Sequence, residues 1–150
     1  MNALEVWTQS NGEVTRKFYA ELWELGPLGD IAVALFRANK CSARAKMYRG
    51  RGYKSAAYDR KEWSIGKLVE ELIAHAEPLG IVWGWREDPQ QPFHKWVIYV
   101  ELPNDIGQVS FHLATRGQGP DYLKDWDGQQ ASTERICKFC DQVFVAPLGI

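Results

Sequence analysis

The stretch Trp96-Val97-Ile98-Tyr99-Val100-Glu101-Leu102, then Pro103-Asn104-Asp105-Ile106-Gly107, then Gln108-Val109-Ser110-Phe111-His112-Leu113 decides the fold. Two runs rich in β-branched and aromatic residues flank a Pro/Asn/Asp/Gly turn, which predicts an antiparallel hairpin. Setting Leu102 opposite Val109, Val100 opposite Phe111 and Ile98 opposite Leu113 puts every large aliphatic on one face. Just upstream, Ile81-Val82-Trp83-Gly84-Trp85, bounded by Asp88-Pro89, reads as a third strand. The three strands form a meander.

Outside the sheet the period changes from two to about 3.6. Val14, Phe18, Leu22 and Leu25 predict a helix over 13–25, ended by Gly26-Pro27 and Gly29. A second helix is expected from Asp30 through Ile31-Ala32-Val33-Ala34-Leu35-Phe36 to about Met47, with a loop at Gly50 and Gly52. A third begins near Ser64 as N-cap, turns Leu68, Leu72 and Ile73 inward, and stops before Pro78. After a loop over 115–131, Ser132 or Thr133 caps a last helix with Ile136, Phe139, Cys140 and Val143 on one face. The expected class is α+β, one domain over 1–150: N-terminal helices, a three-stranded antiparallel sheet and a C-terminal helix.

Composition agrees. The 150 residues are 45% hydrophobic and 25% charged, which suits a packed core and argues against wholesale disorder. No apolar run approaches the ~18 residues of a membrane span. The start, Met1-Asn2-Ala3-Leu4-Glu5, lacks the basic and apolar regions of a secretory signal. With only three cysteines, a reducing cytoplasm is the expected setting.

The net charge of −1 hides a strong asymmetry. Nine of the 18 basic residues fall between Arg37 and Lys61 with one acid, Asp59, giving +8 there and −9 elsewhere. Such segregation creates a local field, and a phosphate backbone is its commonest partner. The expected nucleic-acid contacts are Arg37, Lys40, Arg44, Lys46, Arg49, Arg51, Lys54, Arg60 and Lys61, with Tyr48 or Tyr53 stacking on bases. A solvated helix face, or an acidic protein partner, would use the same charges differently. Seven tryptophans suggest a protein-binding surface, with Trp83, Trp85 and Trp96 expected on alternating faces.

Catalytic signals are sparse. The assumed register sets Tyr99 opposite His112 and Glu101 opposite Ser110, a phenol, an imidazole and an acid able to move protons in a small hydrolase or nuclease. Ordinary cross-strand pairing accounts for the same residues. His75-Ala76-Glu77 and Cys137-Lys138-Phe139-Cys140 resemble a zinc deaminase only superficially: the His lies at a helix end, and Ile136 stands where that motif has proline. Asp121, Asp125 and Asp127 share a loop but lack an EF-hand pattern. No metal or cofactor is expected. Among the cysteines, Cys41 beside Lys40 and Arg44 is expected to be the most reactive, and Cys140 the least.

Trp83-Gly84-Trp85, Trp96 to Pro103, Gly107 to His112, Gly119-Pro120-Asp121-Tyr122 and Trp126-Asp127-Gly128 together resemble a family of small uncharacterised proteins of bacterial genomic islands, plasmids and prophages. The likeness covers about residues 44–140. It implies no catalytic residue. It implies a context, that of small mobile-element proteins that bind nucleic acid or interfere with host defence, as anti-CRISPR and antirestriction proteins do. The function expected is a non-enzymatic binding protein acting on nucleic acid or a nucleoprotein complex.

Overall fold

The computed structural model describes the backbone of residues 1–50, 56–87, 96–113 and 126–145, and the side chains of 1–44, 60–87, 96–112 and 130–145. The chain runs α1 (Ala3–Thr8), α2 (Gly12–Trp23), α3 (Pro27–Gly50), α4 (Ala56–His75), β1 (Val82–Glu87), β2 (Trp96–Leu102), β3 (Gly107–Leu113) and α5 (Trp126–Val145). The strands form one antiparallel sheet in the order β1-β2-β3. This is the expected α+β architecture with an additional short helix at the N-terminus.

Asparagines start the first two helices. Asn2 Oδ1 accepts from the Glu5 amide at 2.8 Å, and Asn11 Oδ1 accepts from the Glu13 amide at 2.9 Å. Each cap satisfies one orphan donor, and the acid in each first turn complements the helix dipole. α1 is too short for periodicity to reveal it. It docks through buried Ala3 and Val6 and through the Ala3 amide, which donates to Asp141 Oδ1 on α5 at 2.8 Å.

The later helices all begin earlier than the aliphatic pattern indicates. α3 starts at Pro27, the proline-tolerant first position, and runs on through Gly50 where a loop is expected. α4 starts at Ala56, not Ser64, and α5 at Trp126, not Ser132 or Thr133. Ser64, Ser132 and Thr133 are therefore buried helix-interior residues and not caps. Ala56-Ala57 and Arg60-Lys61-Glu62 are good helix formers without an aliphatic stripe, so propensity extends the helix where periodicity is silent.

α3 and α4 pack as an antiparallel hairpin. The Ser64 hydroxyl donates to Cys41 Sγ at 3.3 Å, and eleven residues along each helix His75 Nε2 stands 3.9 Å from Asp30 Oδ2. The register between the two helices is thus constant over about three turns.

In the sheet, Leu102 pairs with Gly107, Val100 with Val109 and Ile98 with Phe111. That is two residues tighter than the expected register. The cause is the turn: Asn104 and Asp105 both adopt positive φ, 58° and 59°, and Ile106 N donates to Pro103 O at 3.4 Å. These are the marks of a two-residue type I′ turn, in which Asn and Asp tolerate the left-handed conformation. A shift of two preserves the faces, so Ile98, Val100, Leu102, Val109 and Phe111 are buried as expected. They join one contiguous core with Val6, Phe18, Leu22, Ile31, Leu35, Phe36, Leu68, Leu72, Ile136, Phe139 and Val143. α5 lies against β3, where Arg135 Nη1 donates to the Gln108 carbonyl at 2.6 Å.

Pairing of Trp83 with Val100, Trp85 with Ile98 and Glu87 with Trp96 puts all three strand tryptophans on the helix-packed face. This corrects their expected alternation. Residues directly opposite in antiparallel strands share a face whatever the parity of their numbers. Among the described residues no helix is long and apolar enough to cross a membrane.

Candidate functional site

A groove of about 210 Å³ runs between α3 and α4, flanked by Trp23 at the end of α2. Asp30, Val33, Ala34 and Arg37 line it from α3, and Trp63, Ser64, Lys67 and Glu71 from α4. Steps of three, four and seven residues on α3, and of three, four and eight on α4, place each set on one helix face. Val33, Ala34 and Ser64 are buried and form its floor.

The two ends carry opposite charge. At one, His75 Nε2 lies 3.5 Å from Glu71 Oε2 and 3.9 Å from Asp30 Oδ2. Donor atoms of the three residues all lie within 4.8 Å of one another. At the other end, the Arg37 guanidinium sits 5.2 Å from the Trp63 ring centroid and 5.8 Å from that of Tyr19. The Lys67 ammonium lies 5.7 Å from the same Trp63 ring and 3.2 Å from the Glu70 carboxylate. One indole thus supports two cations through its ring face.

The expected nucleic-acid residues divide. Lys40 is committed inside the fold: its ammonium donates to the Trp7 carbonyl at 2.8 Å and lies over the Trp7 and Phe36 rings at 5.4 and 5.9 Å. Burial, with the charge of Arg44 adding to it, pushes the Lys40 pKa down. Arg37 lines the groove, and Lys61 is buried. Arg44 and Arg60 are exposed, and among the described residues neither makes an ion pair or a hydrogen bond. The hairpin register places Arg44 level with Lys61, one residue from Arg60 along α4. The side chains of Lys46, Tyr48 and Arg49, and residues Arg51, Tyr53 and Lys54, lie outside what is described. So do Asp121, Asp125 and the Asp127 side chain.

The tighter sheet register rearranges the expected proton-transfer set. Tyr99 faces Ser110, Glu101 faces Gln108 and His112 faces Val97. Tyr99 and His112 become diagonal neighbours, while Glu101 and the level of His112 stand four residues apart on the strand, about 13 Å at 3.3 Å per residue. Glu101 Oε1 instead accepts from Gln108 Nε2 at 2.7 Å. The Tyr99 ring crosses Gly84, where a Cβ would stand 2.7 Å from the phenol oxygen.

Cys137 and Cys140 are buried in the core, with Cys140 Sγ 3.8 Å from the Ala32 carbonyl. His75 keeps company with carboxylates, not thiols. In the sequence His75 stands out only with Glu77 and the cysteines, and Asp30 and Glu71 do not stand out with it. The spacing Glu71-x-x-x-His75 was a readable signal for one helix face; Asp30 reaches it only through the hairpin.

Comparison of the chain with protein-family models, with curated proteins and with solved structures returned no match.

Proposed function

We propose that this protein binds nucleic acid, alone or within a nucleoprotein complex, through the half of the α3–α4 hairpin remote from Asp30 and His75. The observation that carries the reading is the pair Arg44 and Arg60, exposed on adjacent helices and without an anionic partner among the described residues. They belong to the 37–61 segment that holds +8 in a chain of net charge −1. A hairpin of two long helices holds such charges on neighbouring elements, and phosphate contact releases condensed counterions from the bound strand. The resemblance to mobile-element proteins supplies a context, in which the bound complex includes a host defence nuclease.

Fluorescence anisotropy with labelled single- and double-stranded DNA and RNA, from 50 to 300 mM salt, tests this. Affinity is expected to fall steeply with salt. Reversing Arg44 and Arg60 to Glu together should reduce the log–log slope by about 2, near 0.9 per phosphate contact. Absent or salt-independent binding would refute the reading. Cleavage of the labelled strands, lost in His112→Ala, would recast the hairpin as the substrate-holding part of a nuclease.

A further inference from the structure

We propose that Asp30, Glu71 and His75 form a binding site for a divalent ion of the zinc class, whose remaining coordination positions face the α3–α4 groove and take a phosphate group held from the far side by Arg37 and Lys67. The site uses residues separate from Arg44 and Arg60, so it stands or falls independently of the nucleic-acid reading.

Spacing is the first argument. The gaps of 3.5 and 3.9 Å from His75 Nε2 to Glu71 Oε2 and Asp30 Oδ2 exceed the ~2.7–3.2 Å of a hydrogen bond. Among the described residues, neither carboxylate accepts a hydrogen bond at all. Around a tetrahedral ion with bonds of ~2.0–2.1 Å, donor atoms sit roughly 3.3 Å apart. The two His75 gaps are ion-pair distances that lie near the spacing a shared ion imposes, and all three donor atoms fall within 4.8 Å of one another. All three side chains are about one-third exposed, so small rotations can close the set. Two carboxylates and an imidazole carry net −2 with the imidazole neutral, and the nitrogen ligand favours zinc-class ions over magnesium or calcium. Three protein ligands leave a position open, as in zinc sites that bind exogenous groups.

The groove's polarity is the second argument. Glu71 and Asp30 line one end of the same 210 Å³ space that Arg37 and Lys67 line at the other. Lys67 is one helical turn from Glu71, about 6 Å, and Arg37 two turns from Asp30, about 10 Å. That gap accommodates one phosphate between the ion and the two cations. Without the ion, the carboxylates repel an anion. Phosphate binding should therefore require the metal.

Isothermal titration of the chelator-stripped full chain with zinc, in phosphate-free buffer and with magnesium as control, is the primary test. One equivalent of zinc should bind and magnesium should not. His75→Ala and Asp30→Asn should each weaken zinc at least tenfold, with far-UV circular dichroism and the metal-free melting temperature unchanged. Cys137→Ser should bind zinc as the parent does. Inorganic phosphate should then bind the zinc-loaded chain only, and Lys67→Ala should lose phosphate while keeping zinc. A dinucleotide displacing the phosphate would identify a nucleic-acid diester as the source; failure to displace would identify a free phosphate or monoester. Zinc binding that survives His75→Ala, or that is lost in Cys137→Ser, would overturn the metal site. Phosphate binding that is equal with and without zinc would overturn the coupling between ion and anion.

Discussion

Asn39 Nδ2 donates to Thr133 Oγ1 at 2.7 Å, joining the middle of α3 to the middle of α5 inside the core. Both residues are buried, so the bond stands in place of water. Thr133→Val keeps the shape and removes the acceptor, which should destabilise the fold by about 1–3 kcal/mol. Urea unfolding of the two proteins measures this. A variant as stable as the parent would mean that the bond contributes nothing net.

Gly29 marks the tightest backbone approach. A Cβ there would collide with the Leu22 carbonyl, so α3 can pack on the end of α2 only with glycine at this position. The obstacle is backbone and cannot rotate away. Gly29→Ala should cost about 3 kcal/mol, the upper end of overpacking penalties, although alanine is the better helix former. Gly66→Ala, with open space around it on α4, should be neutral or slightly stabilising. Equal melting temperatures for the two variants would contradict the close approach.

The buried weak acids make the fold sensitive to alkali. Burial pushes the Cys137 thiol from 9.0 to about 12 and the Tyr19 phenol from 10.0 to about 12. Above pH 9 the unfolded chain releases protons that the folded chain keeps. Their stabilisation is therefore complete below pH 9 and is lost as pH rises toward 12. Lys40 acts in the opposite sense, because its lowered pKa makes the folded chain shed its proton first. The melting temperature should fall above pH 9, and Cys137→Ala should make the fall shallower by about one proton, ~1.4 kcal/mol per pH unit. An unchanged slope would remove Cys137 from this account.

Thiol reactivity should follow burial. Cys41 is half-buried, with the Ser64 hydroxyl donating to its sulfur, whereas Cys137 and Cys140 are buried and burial pushes both thiols up. Brief alkylation followed by peptide mapping should find Cys41 modified first and Cys140 last. Early labelling of Cys140 would require α5 to leave the core.

Much of this was readable from the chain. Phe18 and Leu22 with half-buried Val14, the aliphatic run 31–36, Leu68 and Leu72, and Ile136, Phe139 and Val143 each mark one inward stripe, because burial selects apolar residues at the helical period, whereas Leu25 and Ile73, expected on the same stripes, are exposed. Alternation along 96–113 likewise assigned Ile98, Val100, Leu102, Val109 and Phe111 to the core face, although Val97 on the opposite face is buried as well. Register was not readable from that pattern, since a shift of two leaves every face unchanged. The tight turn rests on positive φ at Asn104 and Asp105, with Gly107 also at positive φ, and the run Pro103 to Gly107 does not say which of them are its central residues. Helix starts at Ala56 and Trp126 were hidden for a related reason: the segments before Ser64 and Ser132 carry few aliphatics for a period to act on.

The sequence by itself determined the class, the core stripes and the concentration of positive charge in 37–61, because these depend on composition and on local period. The tertiary structure alone decided which charges remain available. Antiparallel packing of α3 on α4 turns Lys40 onto Trp7 and buries Lys61, while leaving Arg44 and Arg60 in solvent. The same packing brings Asp30 beside Glu71 and His75, forty-one residues or more along the chain. No local signal encodes that meeting, since it follows from how two helices cross and not from the spacing of residues within either one.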